Sequence, residues 1–161
     1  MSGDEVVVRA LRDDDRERVL EFLRGLSMET LYRRFFSVPR IDDRLFDLIV
    51  HPSECCSEAL VAVEGEDIVA VATYDRLPDD PAAADVAVVV SDAWQHRGVG
   101  SMLMRKLGGA ARRKGVERFT ATMMADNRPV VAFVRRANPA ARLRFDGTEL
   151  AMDAPLDPAA A

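Results

Sequence analysis

The chain has 161 residues, of which 48% are hydrophobic and 30% charged, proportions that fit one globular domain with its own core and no need of a disulfide or metal framework. A formal net charge of −5 argues against the basic surface that nucleic-acid binding uses, and no apolar run approaches the ~20 residues of a membrane span. Met1 to Glu5 is polar and acidic, unlike a secretory signal, so the expected location is cytoplasmic.

Residues 6–11 read as a first strand, and Asp13, Asp14 and Asp15 then place acids at a positive helix end. Val19, Phe22, Leu23 and Leu26 form an apolar helical stripe behind them. Ser27 reads as the cap of a second short helix carrying Leu31, Phe35 and Phe36. The arginines of this region (Arg16, Arg18, Arg24, Arg33, Arg34, Arg40) are candidates for a binding surface, but solvated faces of amphipathic helices are the favoured reading. Pro39 breaks the pattern, Asp42 caps a third helix with Leu45, Phe46 and Ile49 on its face, and His51-Pro52 ends it. His51 has no nucleophile arrangement around it and reads as a loop residue. The adjacent Cys55 and Cys56 lack the spacing of zinc ligands or of a disulfide framework, and read as small side chains near a strand start.

Residues 59–63 and 68–74 are expected strands around the turn Glu64-Gly65-Glu66-Asp67, and residues 75–84, with Pro78 and Pro81, an expected loop. The valine-rich run 86–90 reads as a buried strand. Val99, Leu103, Leu107 and Ala110 recur at the spacing of one helical face, stopped by Gly115. Residues 118–124 read as a strand with Phe119, Ala121 and Met123 on one face, and 127–136 as a helix carrying Val130, Val131, Phe133 and Val134. Residues 141–146 and 148–153 close the chain as a hairpin around Asp146-Gly147, leaving 155–161 as a frayed tail. A single domain over 1–161, with its core in 6–153, is the expected organisation.

Between the valine strand and the long helix lies Gln95-His96-Arg97-Gly98-Val99-Gly100-Ser101. The first N–H groups of a helix have no intrahelical partner and sit at its positive end, so such a junction suits an anion. Gly98 and Gly100 allow a diphosphate to approach the backbone, and Arg97 offers a charged donor fork. No Gly-Lys-Ser/Thr follows, and Leu103 stands where a dinucleotide fingerprint has its third glycine. A plain strand–turn–helix fits the same spacing.

The run Gln95-x-x-Gly98-x-Gly100, after a valine strand and before a helix, resembles the acyl-CoA pyrophosphate loop of the GNAT superfamily of N-acetyltransferases. Asn127-Arg128-Pro129, opening another apolar helix, resembles that superfamily's second CoA-contacting element. The segment from Leu26 to Phe36, LSMETLYRRFF, is similar to the LSPESRYLRFF segment of Pat-type protein lysine acetyltransferases. The resemblance implies an α/β domain of GNAT fold, whose mixed, mostly antiparallel central sheet is splayed at the CoA site and flanked by helices. It implies acetyl-CoA as co-substrate and no metal. Backbone groups of Val88, Val89 and Val90 are then expected to hold the pantetheine arm, with an N–H near Val88 facing the thioester carbonyl. The pyrophosphate is expected on Gln95, His96, Arg97, Gly98, Val99, Gly100 and Ser101, with Asn127 bonding the pantetheine. Phe133 is expected either to line the CoA groove or to sit in the core.

An amine acceptor with a pKa of about 10.4 needs a base at neutral pH. The superfamily places a carboxylate at the head of the central strand, and here that position is Asp85, one methylene shorter than the usual Glu. A surface aspartate ending a loop is the competing reading. Two departures stand out. Val134 occupies the place of the superfamily's late-helix tyrosine acid, and Asn138-Pro139 replaces its usual Gly-Phe. The resemblance favours direct acetyl transfer to a protein lysine, for example one on a metabolic enzyme such as an acyl-CoA synthetase. The alternatives are a small amine acceptor and a non-catalytic acyl-CoA-binding module.

Overall fold

The computed structural model describes residues 5–50 and 56–156. Its elements are β1 (Val6–Ala10), a 3₁₀ turn, α1 (Arg16–Arg24), α2 (Met28–Phe35), α3 (Asp43–Val50), β2 (Ser57–Glu64), β3 (Asp67–Leu77), β4 (Asp80–Val90), a second 3₁₀ turn, α4 (Val99–Arg113), β5 (Arg118–Met124), α5 (Arg128–Ala137), β6 (Arg142–Asp146) and β7 (Glu149–Pro155). The strands form one sheet in the order β1-β2-β3-β4-β5-β7-β6, antiparallel at every junction except β4–β5. This is the mixed, mostly antiparallel sheet with flanking helices that the family resemblance implies.

Alternation along β4 divides the core. Val86 turns to the face covered by α4 and packs with Leu103 and Leu107, whereas Val89 turns to the opposite face and packs with Leu23 of α1 and Phe46 of α3. The predicted stripe of α4 is buried at Val99, Leu103 and Leu107, and Ala111 rather than Ala110 completes it. Asp15 does more than start a helix. It is 2% exposed, takes both guanidinium nitrogens of Arg9 (2.7 and 2.8 Å) and the Arg12 N–H (2.8 Å), and so ties α1 to β1. The Arg9 hydrogen bonds hold its carboxyl below the usual range.

Three expectations are corrected. The predicted loop 75–84 is instead the tip of the β3–β4 hairpin, with only Pro78 and Asp79 outside the strands. The ladder shifts register between Arg76 and Leu77, and Pro81 falls in that irregular stretch of β4, where a residue without an N–H is tolerated. The predicted fray at 155 is also late: Pro155 pairs with Arg118, and the Leu156 N–H donates to the Glu117 carbonyl at 2.8 Å. Cys56 is disulfide-bonded rather than a free thiol, while Cys55, His51, Pro52 and the tail 157–161 lie outside the described residues.

The site follows from how β4 and β5 meet. They pair in parallel only at Ala83↔Arg118, Ala84↔Phe119 and Asp85↔Thr120, and then part. Beyond Asp85, β4 stays bonded to β3 on one edge and offers its other edge to a cleft.

Candidate active site

The opening between the parted strands is a cleft of about 540 Å³, walled by β4 from Asp85 to Val90 and by Ala121, Thr122 and Met123 of β5. The starts of α4 and α5 and the end of α2 complete it. An unpaired strand edge in a cleft suits a ligand arm carrying amide groups, which can pair with Val88, Val89 and Val90 as an added strand does.

One end of the cleft suits an anion. Gly98 is the N-cap of α4 with φ +85°, and no side chain caps the helix, so its first N–H groups face the cleft mouth. His96 is left-handed as well, at φ 62°. A Cβ at Gly100 would stand 3.7 Å from Val90 Cγ2 and 3.8 Å from Phe133 Cε2, inside the space that the cleft leaves open. Asn127 is buried at the N-cap of α5, where its Oδ1 accepts from the Val130 N–H at 3.4 Å. That leaves the Asn127 amide N–H₂ as the group for a ligand. Phe133 faces Gly100 across the cleft instead of joining either core cluster.

The other end is acidic. Asp85 is the only carboxylate among the described residues lining the cleft. Its Oδ1 accepts from Thr120 Oγ1 at 3.2 Å, across the last paired rung of β4 and β5. The side chain is open to the cleft, yet crowding by protein raises its pKa above the ordinary carboxylate value. Thr120 and the Arg34 guanidinium pull it down, and Asp75, its opposite number on β3, pushes it up. Two other carboxylates near this strand are placed elsewhere. Glu58 accepts from the Tyr74 hydroxyl (2.9 Å) and pairs with Lys114 (3.2 Å), and Asp75 lies outside the cleft lining.

Of the predicted site residues, Asp85, Val88, Val89, Val90, Gln95, His96, Gly98, Val99, Gly100, Ser101, Asn127 and Phe133 all line this one cleft. Arg97 does not. Its guanidinium lies over the Trp94 ring, 4.0 Å from the centroid, and Trp94 lines the cleft in its stead. Gln95 braces the loop, donating to the Val90 carbonyl (3.1 Å) and to Thr30 Oγ1 (3.4 Å). Val134 lines the cleft where the resemblance expects tyrosine. Tyr74 is buried against Glu58, and neither it nor Tyr32 lines the cleft. Sequence reasoning missed the end of α2: Thr30, Arg33, Arg34 and Phe36 line the cleft, so Arg33 and Arg34 are not simply solvated. The one local signal was the pattern of α2 itself, whose apolar face at Leu31 and Phe35 leaves the arginines beside it at the sheet.

The sequence matches the acetyltransferase (GNAT) family over residues 25–138. It is 34% identical over 128 residues to acetyltransferase Pat of Mycolicibacterium smegmatis, a match covering 78% of this chain and 38% of that protein. It is 33% identical over 132 residues to acetyltransferase PA5475 of Pseudomonas aeruginosa, covering 78% of this chain and 70% of that one. The chain therefore spans well under half of its mycobacterial relative. The fold superposes on the crystal structure of the GNAT domain of S. lividans PAT with a TM-score of 0.83 and 29% identity, over 92% of this chain and 89% of that one. The cleft where the sheet parts and the matched sequence thus agree, and this chain belongs to the acetyltransferase (GNAT) family.

Proposed function

We propose that this domain moves the acetyl group of acetyl-CoA directly to an amine, the favoured acceptor being a lysine side chain of a protein. The observation that carries the reading is the placement of Asp85, the cleft's one described carboxylate, at the point where β4 and β5 part. Acetyl-CoA supplies the activated acyl group. The α4 N-terminus at Gly98 to Ser101 suits its diphosphate, and the free edge of Val88, Val89 and Val90 suits its amide-bearing arm. Asp85 then takes the proton of the incoming ammonium, directly or through one water, which frees the lone pair that attacks. Burial raises its pKa, which makes its carboxylate a better base than an ordinary one. A backbone N–H near Val88 stabilises the charge that develops on the thioester oxygen, and collapse of the adduct breaks the C–S bond, CoA leaving as a thiolate that takes the nitrogen's surplus proton.

The protein-lysine acceptor rests on the similarity to Pat and on the LSMETLYRRFF segment, which forms α2 and reaches the cleft. Remote contacts of a protein substrate supply orientation that a small amine lacks. A folded lysine-bearing protein should therefore be acetylated with much higher kcat/KM than free lysine or a polyamine, as read by CoA release. Faster turnover of a free amine would shift the reading to a small-molecule acceptor. The valine at position 134 favours a second reading, an acyl-CoA-binding module without turnover. Acetyl-CoA binding with no CoA release from any acceptor would establish it.

A further inference from the structure

We propose that Arg34 reads a carboxylate carried by the acceptor, so that the preferred substrate is an amine with an acid group beside it. The inference rests on the acetyl-transfer reading and specifies the acceptor within it. Arg34 lies in the last turn of α2, half-buried, and lines the cleft together with Asp85 and Ala87. Behind it is a small apolar space bounded by Val71, Ala87 and Val89. A guanidinium keeps its charge in such surroundings, where an unpaired charge is costly. Burial accordingly pulls its pKa down, against the attraction of Asp85.

The charge is nevertheless left unused by the protein. Arg33 beside it is tied to Glu29 at 2.8 Å, but Arg34 makes no hydrogen bond or ion pair with a described residue and only overlies the Phe35 ring at 4.7 Å. Asp85 is near enough for each to shift the other's pKa, yet it bonds Thr120 instead. Two opposite charges thus stand over one space without touching, the arrangement that receives a dipolar ligand. The amine goes to Asp85, and a carboxylate goes to the planar donor fork of Arg34. The phosphates of CoA do not compete for Arg34. Their helix terminus lies beyond Val90, five residues along β4 from Asp85 or roughly 16 Å at strand rise.

The carboxylate has two sources, a Glu or Asp flanking a lysine in a protein, or the acceptor's own carboxyl group. Two matched pairs separate them: lysine peptides flanked by Glu or by Gln, and Nα-acetyl-lysine against its carboxamide. Binding of each is measured calorimetrically to the protein saturated with free CoA, which cannot turn over, and kcat/KM is measured with acetyl-CoA. The native protein should bind the acid-bearing member of at least one pair on the order of tenfold more tightly. Arg34→Gln should bring that ratio to about one, Arg34→Lys should keep part of it, and both variants should retain the native circular dichroism. Discrimination in the small pair alone would keep the carboxylate contact and overturn the protein acceptor. Equal affinity within both pairs in the native protein, or an unchanged ratio in Arg34→Gln, would overturn the assignment. So would an equal loss of binding for both members of a pair, which marks a structural role.

Discussion

Gly98 and Gly100 look alike in the sequence but act differently in the structure. Gly98 needs its φ of +85°, so any side chain there strains the cap of α4. Gly100 has helical backbone, and a Cβ there meets Val90 and Phe133 at ordinary contact distance. It is therefore the cleaner probe of the anion site. Gly100→Glu should leave the circular dichroism and melting unchanged while weakening CoA on the order of a hundredfold, because a negative charge then faces the diphosphate. Unchanged CoA affinity in calorimetry would remove the diphosphate from this loop. The glycines and Asp85 were legible because each is fixed locally, by a helix start or a strand head. Arg97 and Arg34 were not. A long side chain at a given backbone position has several directions open to it, and tertiary neighbours choose among them: the Trp94 ring captures Arg97, and the parted sheet receives Arg34.

Among the elements, α2 lines the cleft through Thr30, Arg33 and Arg34 and is pinned from a distance. Asp92, just after β4, accepts from the Ser27 N–H (3.0 Å), Ser27 Oγ (2.8 Å) and Thr30 Oγ1 (2.8 Å). Burial pushes the Asp92 carboxyl up, but these bonds outweigh it and hold the pKa below the usual value. Their contribution is present above the unfolded-state pKa of an aspartate and is lost as pH falls through the lowered folded value. Asp92→Ala should cost about 1 kcal/mol, little because the site is exposed, and should speed amide exchange in α2 while α4 stays protected. Equal exchange in α2 with and without Asp92 would contradict the anchor. The sequence shows Ser27 as a cap but not its partner 65 residues on. Helix periodicity and Val-rich strands were readable for the same local reason as the caps. The β3–β4 tip was misread because two prolines and three aspartates resemble a loop, and only the register shift reveals how a strand absorbs them.

At the scale of the whole molecule, three paired rungs between β4 and β5 determine what the fold can do. They close the sheet at one end and leave it open at the other, so that one strand presents the Asp85 carboxylate at its head and a helix start at its tail. The element order made this architecture readable, since a valine strand, a glycine loop and two apolar helices follow in the right sequence. The parting itself is not written in any one residue, because it depends on how two strands separated by a helix pair, and that ladder stops at Asp85↔Thr120. The most direct test of the account is the pH profile of kcat for the native protein, Asp85→Ala and Asp85→Glu. Asp85→Ala should keep its acetyl-CoA affinity and lose roughly 10²–10⁴-fold in kcat at neutral pH, a loss that shrinks as pH nears the amine's own pKa. Asp85→Glu should retain more activity than Asp85→Ala, whereas near-native kcat in Asp85→Ala at neutral pH would contradict the assignment of Asp85 as the base.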